Sequence, residues 1–176
     1  MNFPAGIEAG FEIYLHEGHL RILEDGNRSD YVDLCQEKRA IFRSEMKACG
    51  KITNALHEMG ITEPEQMELK YVGCRYGTLS SLPDLVGKTT ISDAPSCDMM
   101  GHCPGFGVVC RIPDHLARKE YLIARYIGKG YYDKEICSIL SIKQTSCRTH
   151  INRIFEKLNL SNRLEIALWA QSLGIV

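Results

Sequence analysis

The chain has 176 residues, which allows one large domain or two small ones. Its formal charge of −1 hides an uneven distribution: residues 1–115 carry 11 Lys and Arg against 17 Asp and Glu, whereas residues 116–176 carry 10 against 5. An acidic front and a basic back predict two domains, 1–113 and 114–176, the second suited to a polyanion. No apolar run approaches the ~18 residues of a membrane span, and the start MNFPAGIEAGFEIYLHEG lacks a basic stretch followed by an apolar one. A cytoplasmic protein without a membrane partner is expected.

The first element in chain order is a β-hairpin in FEIYLHEGHLRILEDG, with strands at Phe11 to Leu15 and Leu20 to Leu23. From Asp30 to Gly60 the apolar residues Val32, Leu34, Ile41, Phe42, Met46, Cys49, Ile52, Leu56 and Met59 follow a helical period. This predicts a long helix, capped by Ser29 or Asp30, with a break near Gly50 as one option. It is either a core helix or a dimer-forming one, and Cys35 and Cys49 read as small core residues within it. MELKYVG, residues 67–73, alternates well enough for a strand. The front half is thus expected to be an α+β domain.

Between positions 74 and 110 the sequence is rich in Gly, Pro and Ser and has little periodicity, a poor loop for a compact domain unless something other than an apolar core holds it. Four of the eight cysteines lie there, and Cys97, Cys103 and Cys110 fall within fourteen residues. Disulfides are disfavoured in a reducing compartment, so the cluster suggests metal ligation by Cys74, Cys97, Cys103 and Cys110. Structural zinc is the first expectation, a [4Fe–4S] cluster making a redox sensor is the alternative, and unligated thiols are the third. The spacing C-x5-C-x6-C is looser than a zinc knuckle. No nucleophile, base and orienting group can be assembled from the sequence, and no enzyme is expected.

The last third sharpens into four helical pieces. Arg118 to Gly128 presents Leu122, Ile123, Tyr126 and Ile127; Asp133 starts a short helix with Ile136, Cys137, Ile139 and Leu140; a turn at Ser141-Ile142 follows. SIKQTSCRTHINRIFEKLNL then places Cys147, Ile151, Ile154, Phe155 and Leu158 on one helical stripe, and Arg163 to Leu173 closes the chain. The opposite face of the third piece is polar and basic, and its only acid, Glu156, comes late. Two short helices joined by a tight turn, the second with such a face, make a helix-turn-helix.

The line from Leu116 to Ala170 resembles the DNA-binding domain of LuxR/GerE-type transcription regulators. The resemblance rests on Glu120, the bend at Gly130, Lys134-Glu135-Ile136, Cys147-Arg148-Thr149-His150, Lys157-Leu158 and Arg163. Where the family usually has Thr-Val-Lys, this chain has Ser146-Cys147-Arg148, keeping a hydroxyl, a small apolar knob and a cation. Major-groove chemistry and the resemblance together imply base-edge contacts from Lys143, Gln144, Thr145, Arg148 and Asn152. Phosphate contacts are expected from Ser146, His150, Arg153 and Lys157, with Thr149 on the same face. Cys147 is expected to pack inward, and Glu120 to form an internal ion pair near Arg163. Double-stranded DNA is the implied partner, bound by a homodimer through the last helix with Ile166 and Trp169, and RNA polymerase is a further one. The front half resembles neither a phosphoacceptor receiver, lacking its ordered acids, nor an acyl-homoserine-lactone pocket, which uses several Trp where this chain has only Trp169.

Overall fold

The computed structural model describes residues 4–7 and 10–176. The chain divides into two compact units, Met1–Pro95 with Gly107–Arg111, and Ser96–Phe106 with Ile112–Val176.

The first unit is built on an antiparallel meander of β1 (Phe11–His16), β2 (His19–Glu24) and β3 (Asn27–Asp30), with Ile13 opposite Ile22 and Leu23 opposite Arg28. Glu17-Gly18 and Asp25-Gly26 make the two turns, and all four residues have positive φ, as tight two-residue hairpins require. Phe11, Ile13 and Ile22 pack on one face against α1 (Gln36–Ala48), α2 (Gly50–Glu58) and α3 (Pro64–Tyr76) through Phe42, Met46, Ile52, Leu56, Met67, Tyr71, Val72 and Tyr76. Strand alternation sends Glu12 to the other face, yet it too is fully buried. A bidentate pair locks α1 to α3: Arg39 Nε and Nη2 donate to Glu68 at 2.8 and 3.0 Å, Arg43 Nε adds a third bond at 2.5 Å, and the Tyr31 hydroxyl donates at 3.0 Å. A two-residue hairpin, β4 (Leu85–Val86) and β5 (Thr89–Thr90), follows.

Several expectations change here. Residues 67–73 are helical, within α3, because Pro64 opens a helix at its first position and Met67, Glu68, Tyr71, Val72 and Tyr76 share a buried stripe at helical spacing. The helix expected from Asp30 to Gly60 starts later, after the end of the third strand and a single helical turn at Tyr31–Asp33, and it is broken at Cys49, whose backbone is extended, in keeping with the break near Gly50 that the sequence allowed. Cys35 and Cys49 cap these helices and are exposed, outside the core. Cys74 belongs to α3 and not to the irregular segment.

The second unit contains α4 (Arg118–Gly128), α5 (Asp133–Ile139), α6 (Gln144–Leu158) and α7 (Arg163–Ser172). Tyr121, Ile123, Ile127, Ile136, Cys147, Ile154, Ile166 and Ala170 fill its core. Gly128 lets α4 approach the end of the chain closely: a Cβ there would lie 2.7 Å from that of Ala170 and 2.3 Å from the Val176 side chain. The buried Arg125 ties residues 96–98 and the C-terminus to α4, donating to the carbonyls of Ser96, Cys97 and Ile175 at 2.7, 3.2 and 2.9 Å and to Asp98 at 3.1 Å. Those bonds account for the placement of Cys97 in this unit. Among the described residues no helix is long and apolar enough to cross a membrane.

Candidate nucleic-acid interface

The interface is assembled by one tight turn. α5 ends when the Leu140 and Ser141 N–H groups bond to Ile136 and Ser138 carbonyls at 2.9 and 3.2 Å, and Ser141 enters the left-handed region. The Ile142 N–H reaches back to Cys137 O at 3.0 Å, which turns the chain, and Lys143 becomes the residue preceding α6. At the far end Asn159 adopts φ 53° and stops the helix.

Within α6 the phase is set by burial of Cys147, Ile151 and Ile154. The Cys147 thiol is pushed up to about 12, chiefly by burial and then by its Cys137 neighbour, so it stays protonated and serves as packing. Lys143, Gln144, Thr145, Ser146, Arg148, Thr149, Asn152 and Arg153 are all exposed on the rest of the helix. Together they form one polar, cationic face whose N-terminal three turns contain no carboxylate. The Thr149 hydroxyl donates to Thr145 O at 3.0 Å, leaving the face otherwise available.

Two sequence-predicted contact residues stand apart. Lys157 Nζ donates to the buried Glu120 carboxylate at 2.6 Å and to His115 O at 3.2 Å, so it braces α6 against α4. Glu120 also accepts from the Ala117 N–H at 2.8 Å. Burial raises its pKa, but Lys157 and that N–H outweigh it and hold the carboxyl below its usual range. The expected partner Arg163 instead pairs with Asp133 and donates to Tyr131 O, because it starts α7 beside the α4–α5 turn. His150 is half-buried beside Glu120. On α7, Ile166 is fully buried and Trp169 is turned inward, its ring edge-on to Tyr121 at 6.4 Å and its indole N–H on Asp114. The exposed apolar residues of that helix are Leu164 and Leu168, one turn apart.

The four cysteines expected to share a metal are drawn from both units. Cys74 and Cys110 belong to the first unit, Cys97 and Cys103 to the second. Among the described residues no group of three or more His, Cys, Asp or Glu could hold a metal ion. Cys74 and Cys110 do meet: the contact with Cys110, followed by the Lys70 charge, outweighs burial and brings the Cys74 thiol down to about 7.

Sequence reasoning missed a second group of acids. Burial raises Glu12, Asp84 and Asp93 to about 7, about 10 and about 7, and charge repulsion adds to it for Glu12, from Asp93, and for Asp84, from Asp93 and Glu12. Their hydrogen-bond donors are mainly backbone: Ser80 N–H to Glu12 at 2.5 Å, Ile13 N–H to Asp84 at 2.6 Å and Thr78 N–H to Asp93 at 3.0 Å. A single acid between Phe11 and Ile13 reads as the outward position of a half-buried strand, so nothing local marks it as buried.

Four helices, with a tight turn delivering a polar cationic helix at the surface, define a helix-turn-helix module. Residues 114–170 match the family described as bacterial regulatory proteins, luxR family, and this segment is a LuxR-type helix-turn-helix domain. The chain is similar to the transcriptional regulatory protein ComA of Bacillus subtilis (strain 168), 35% identical over 63 residues, 36% of this chain and 29% of that one. It is also similar to the glycerol metabolism activator of Pseudomonas putida, 36% identical over 55 residues, 31% of this chain and 25% of that one. To the HTH-type transcriptional regulator MalT of Vibrio parahaemolyticus serotype O3:K6 it is 31% identical over 58 residues, 33% of this chain and 6% of that one. The likeness thus spans less than a third of each of these relatives. No solved structure matches the chain.

Proposed function

We propose that the protein is a sequence-specific, DNA-binding transcription regulator that binds duplex DNA as a homodimer, with α6 in the major groove. The observation that carries this reading is the exposed face of Lys143, Gln144, Thr145, Arg148 and Asn152 on a helix whose opposite stripe is buried. Arg suits the paired acceptors of guanine, Gln and Asn suit adenine, and Ser146, Thr149 and Arg153 flank them for phosphate. Lys157 serves the fold through Glu120 and adds charge near the backbone only secondarily. Leu164 and Leu168 are the residues of α7 that a second copy can cover, with two half-sites about one helical turn apart. RNA polymerase is a further partner in this reading.

Zinc on Cys74, Cys97, Cys103 and Cys110, with a [4Fe–4S] cluster as the alternative, is a reading that metal analysis decides. One zinc ion or one iron–sulfur cluster per chain, found in anaerobically purified protein, supports the four-thiolate reading.

The decisive experiment selects a DNA site with the wild type and titrates it at matched salt. Arg148→Ala should lose about 1–3 kcal/mol of specific binding and relax preference at one base pair, with α-helical content unchanged. Undiminished affinity of this variant overturns the groove assignment.

A further inference from the structure

Two pairs of thiols are in contact: Cys137 with Cys147, both buried in the core of the helix-turn-helix unit, and Cys74 with Cys110, of which Cys74 is half-exposed. Cys74 lies in the last turns of α3, half-buried at the edge of the core, and Cys110 is 3% exposed. The strand of chain that carries Cys110 is held against α3 next to them: Arg75 Nη1 donates to Val109 O at 3.2 Å, and Val109 is fully buried in the same core as Tyr71 and Val72. Adjacent residues on both segments are therefore fixed, and the two thiols meet in a sulfur hydrogen bond. No third His, Cys, Asp or Glu among the described residues completes a metal set there. Two thiols in contact, one reachable and one enclosed, are placed for exchange chemistry.

We propose that Cys74 and Cys110 are a redox-reactive thiol pair that low-molecular-weight disulfides such as oxidised glutathione convert to an intramolecular disulfide, Cys74 attacking and Cys110 resolving. In the first step the Cys74 thiolate forms a bond to one sulfur of the small disulfide, whose S–S bond breaks and releases one thiolate. In the second, Cys110 gives its proton to that thiolate or to water and attacks the Cys74 sulfur, and the second small thiolate leaves. Two protein thiols lose two electrons in all, and one small disulfide gains them as two thiols. Exposure sets the order, because the enclosed Cys110 cannot receive a bulky disulfide first. The new bond pins residue 110 to α3 just ahead of Ile112, where the second unit resumes. This chemistry stands whether or not the protein binds DNA.

The test uses the full chain in glutathione buffers graded from reduced to oxidised, followed by acid quench, alkylation and peptide mass analysis. Wild type should give a cross-linked peptide pair, Cys74 to Cys110, lighter by two hydrogens, while the exposed Cys35 and Cys49 give only glutathione adducts. Cys110→Ser should accumulate glutathione at position 74. In Cys74→Ser, modification of Cys110 at the same poise should be roughly ten times slower than that of Cys74 in Cys110→Ser. The proposal is overturned if wild type takes up glutathione at Cys35 without any 74–110 cross-link, if Cys110 in Cys74→Ser reacts as fast as Cys74 does, or if the purified protein carries a zinc ion or iron–sulfur cluster that Cys74→Ser loses. The wild-type cross-link is read without any variant, so a misfolded variant leaves the test intact.

Discussion

Glu120 in the second unit and the trio Glu12, Asp84 and Asp93 in the first are all buried carboxyls, and they are treated in opposite ways. Glu120 meets a cation and a backbone N–H and is held below its usual range. Among the described residues no ion pair engages the trio, and its members are raised to about 7, about 10 and about 7. Glu68, in the first unit as well, follows the Glu120 pattern, with two arginines and the Tyr31 hydroxyl. Burial alone therefore decides nothing about charge; whether a cation arrives decides it.

The contrast fixes the sign of the pH response. A raised folded pKa means that the native state holds protons which the unfolded chain has already released, so the contribution of the trio is most favourable below the ordinary carboxylate range near pH 4. It is lost as pH rises through 7 for Glu12 and Asp93 and toward 10 for Asp84. For Glu120 the folded pKa is depressed, so its contribution is present above that ordinary range and lost as pH falls through its folded value. Amide exchange, read separately for each unit by mass spectrometry, should show protection of β1 and residues 78–93 falling between pH 6 and 8 while that of α4–α7 holds.

The largest effect that would break the comparison is steric. Gly128→Val places a branched side chain where even a Cβ lies 2.3 Å from Val176 and 2.7 Å from Ala170, and should cost the second unit about 3 kcal/mol. Exchange protection in the first unit should not change, and if it collapses with the second, the units do not respond separately.

Asp84→Asn sharpens the contrast in the other direction. The amide oxygen can still accept from Ile13 N–H, and no proton has to be taken up on folding, so at pH 8 the variant should be about 2 kcal/mol more stable than wild type in urea titration. The gain should shrink as pH falls toward 5. A destabilised variant at pH 8 would mean that the trio is already charged and compensated.

Lys157→Met keeps the length of the side chain and removes the partner of Glu120. Because Lys157 is partly exposed, the loss is discounted to about 1–2 kcal/mol, and the pH dependence contributed by Glu120 should reverse. An unaltered melting curve would show the pair to be dispensable. The smallest effect is expected at the exposed Cys35 and Cys49, where replacement by Ser should change stability by no more than about 0.5 kcal/mol in the same titration.

The sequence by itself determined the four helices of the second unit, though not the place of residues 96–106 in it. Its helices are short, locally phased and separated by Gly130, Ser141 and Asn159, and each buries a stripe whose period is visible in the residues, so the outward face of α6 was legible at once. The hairpin of β1 and β2 was legible for the same reason, its turn being local. Tertiary structure decided the rest. Residues 67–73 carry apolar groups compatible with either a strand or a helix, and only the fit of Tyr71, Val72 and Tyr76 against Phe42 selects α3. Spacing along the chain grouped four cysteines, but Arg125 draws residues 96–98 to one unit and Arg75 draws Val109 to the other. Lys157 was expected only at phosphate, and α4 gives it Glu120 as a partner inside the fold; Glu12 read as a solvated strand position, and Ser80 of the segment 78–93 meets it. In each case the missing fact was a partner distant in sequence, and pairing energies between distant residues leave no periodic trace in either segment.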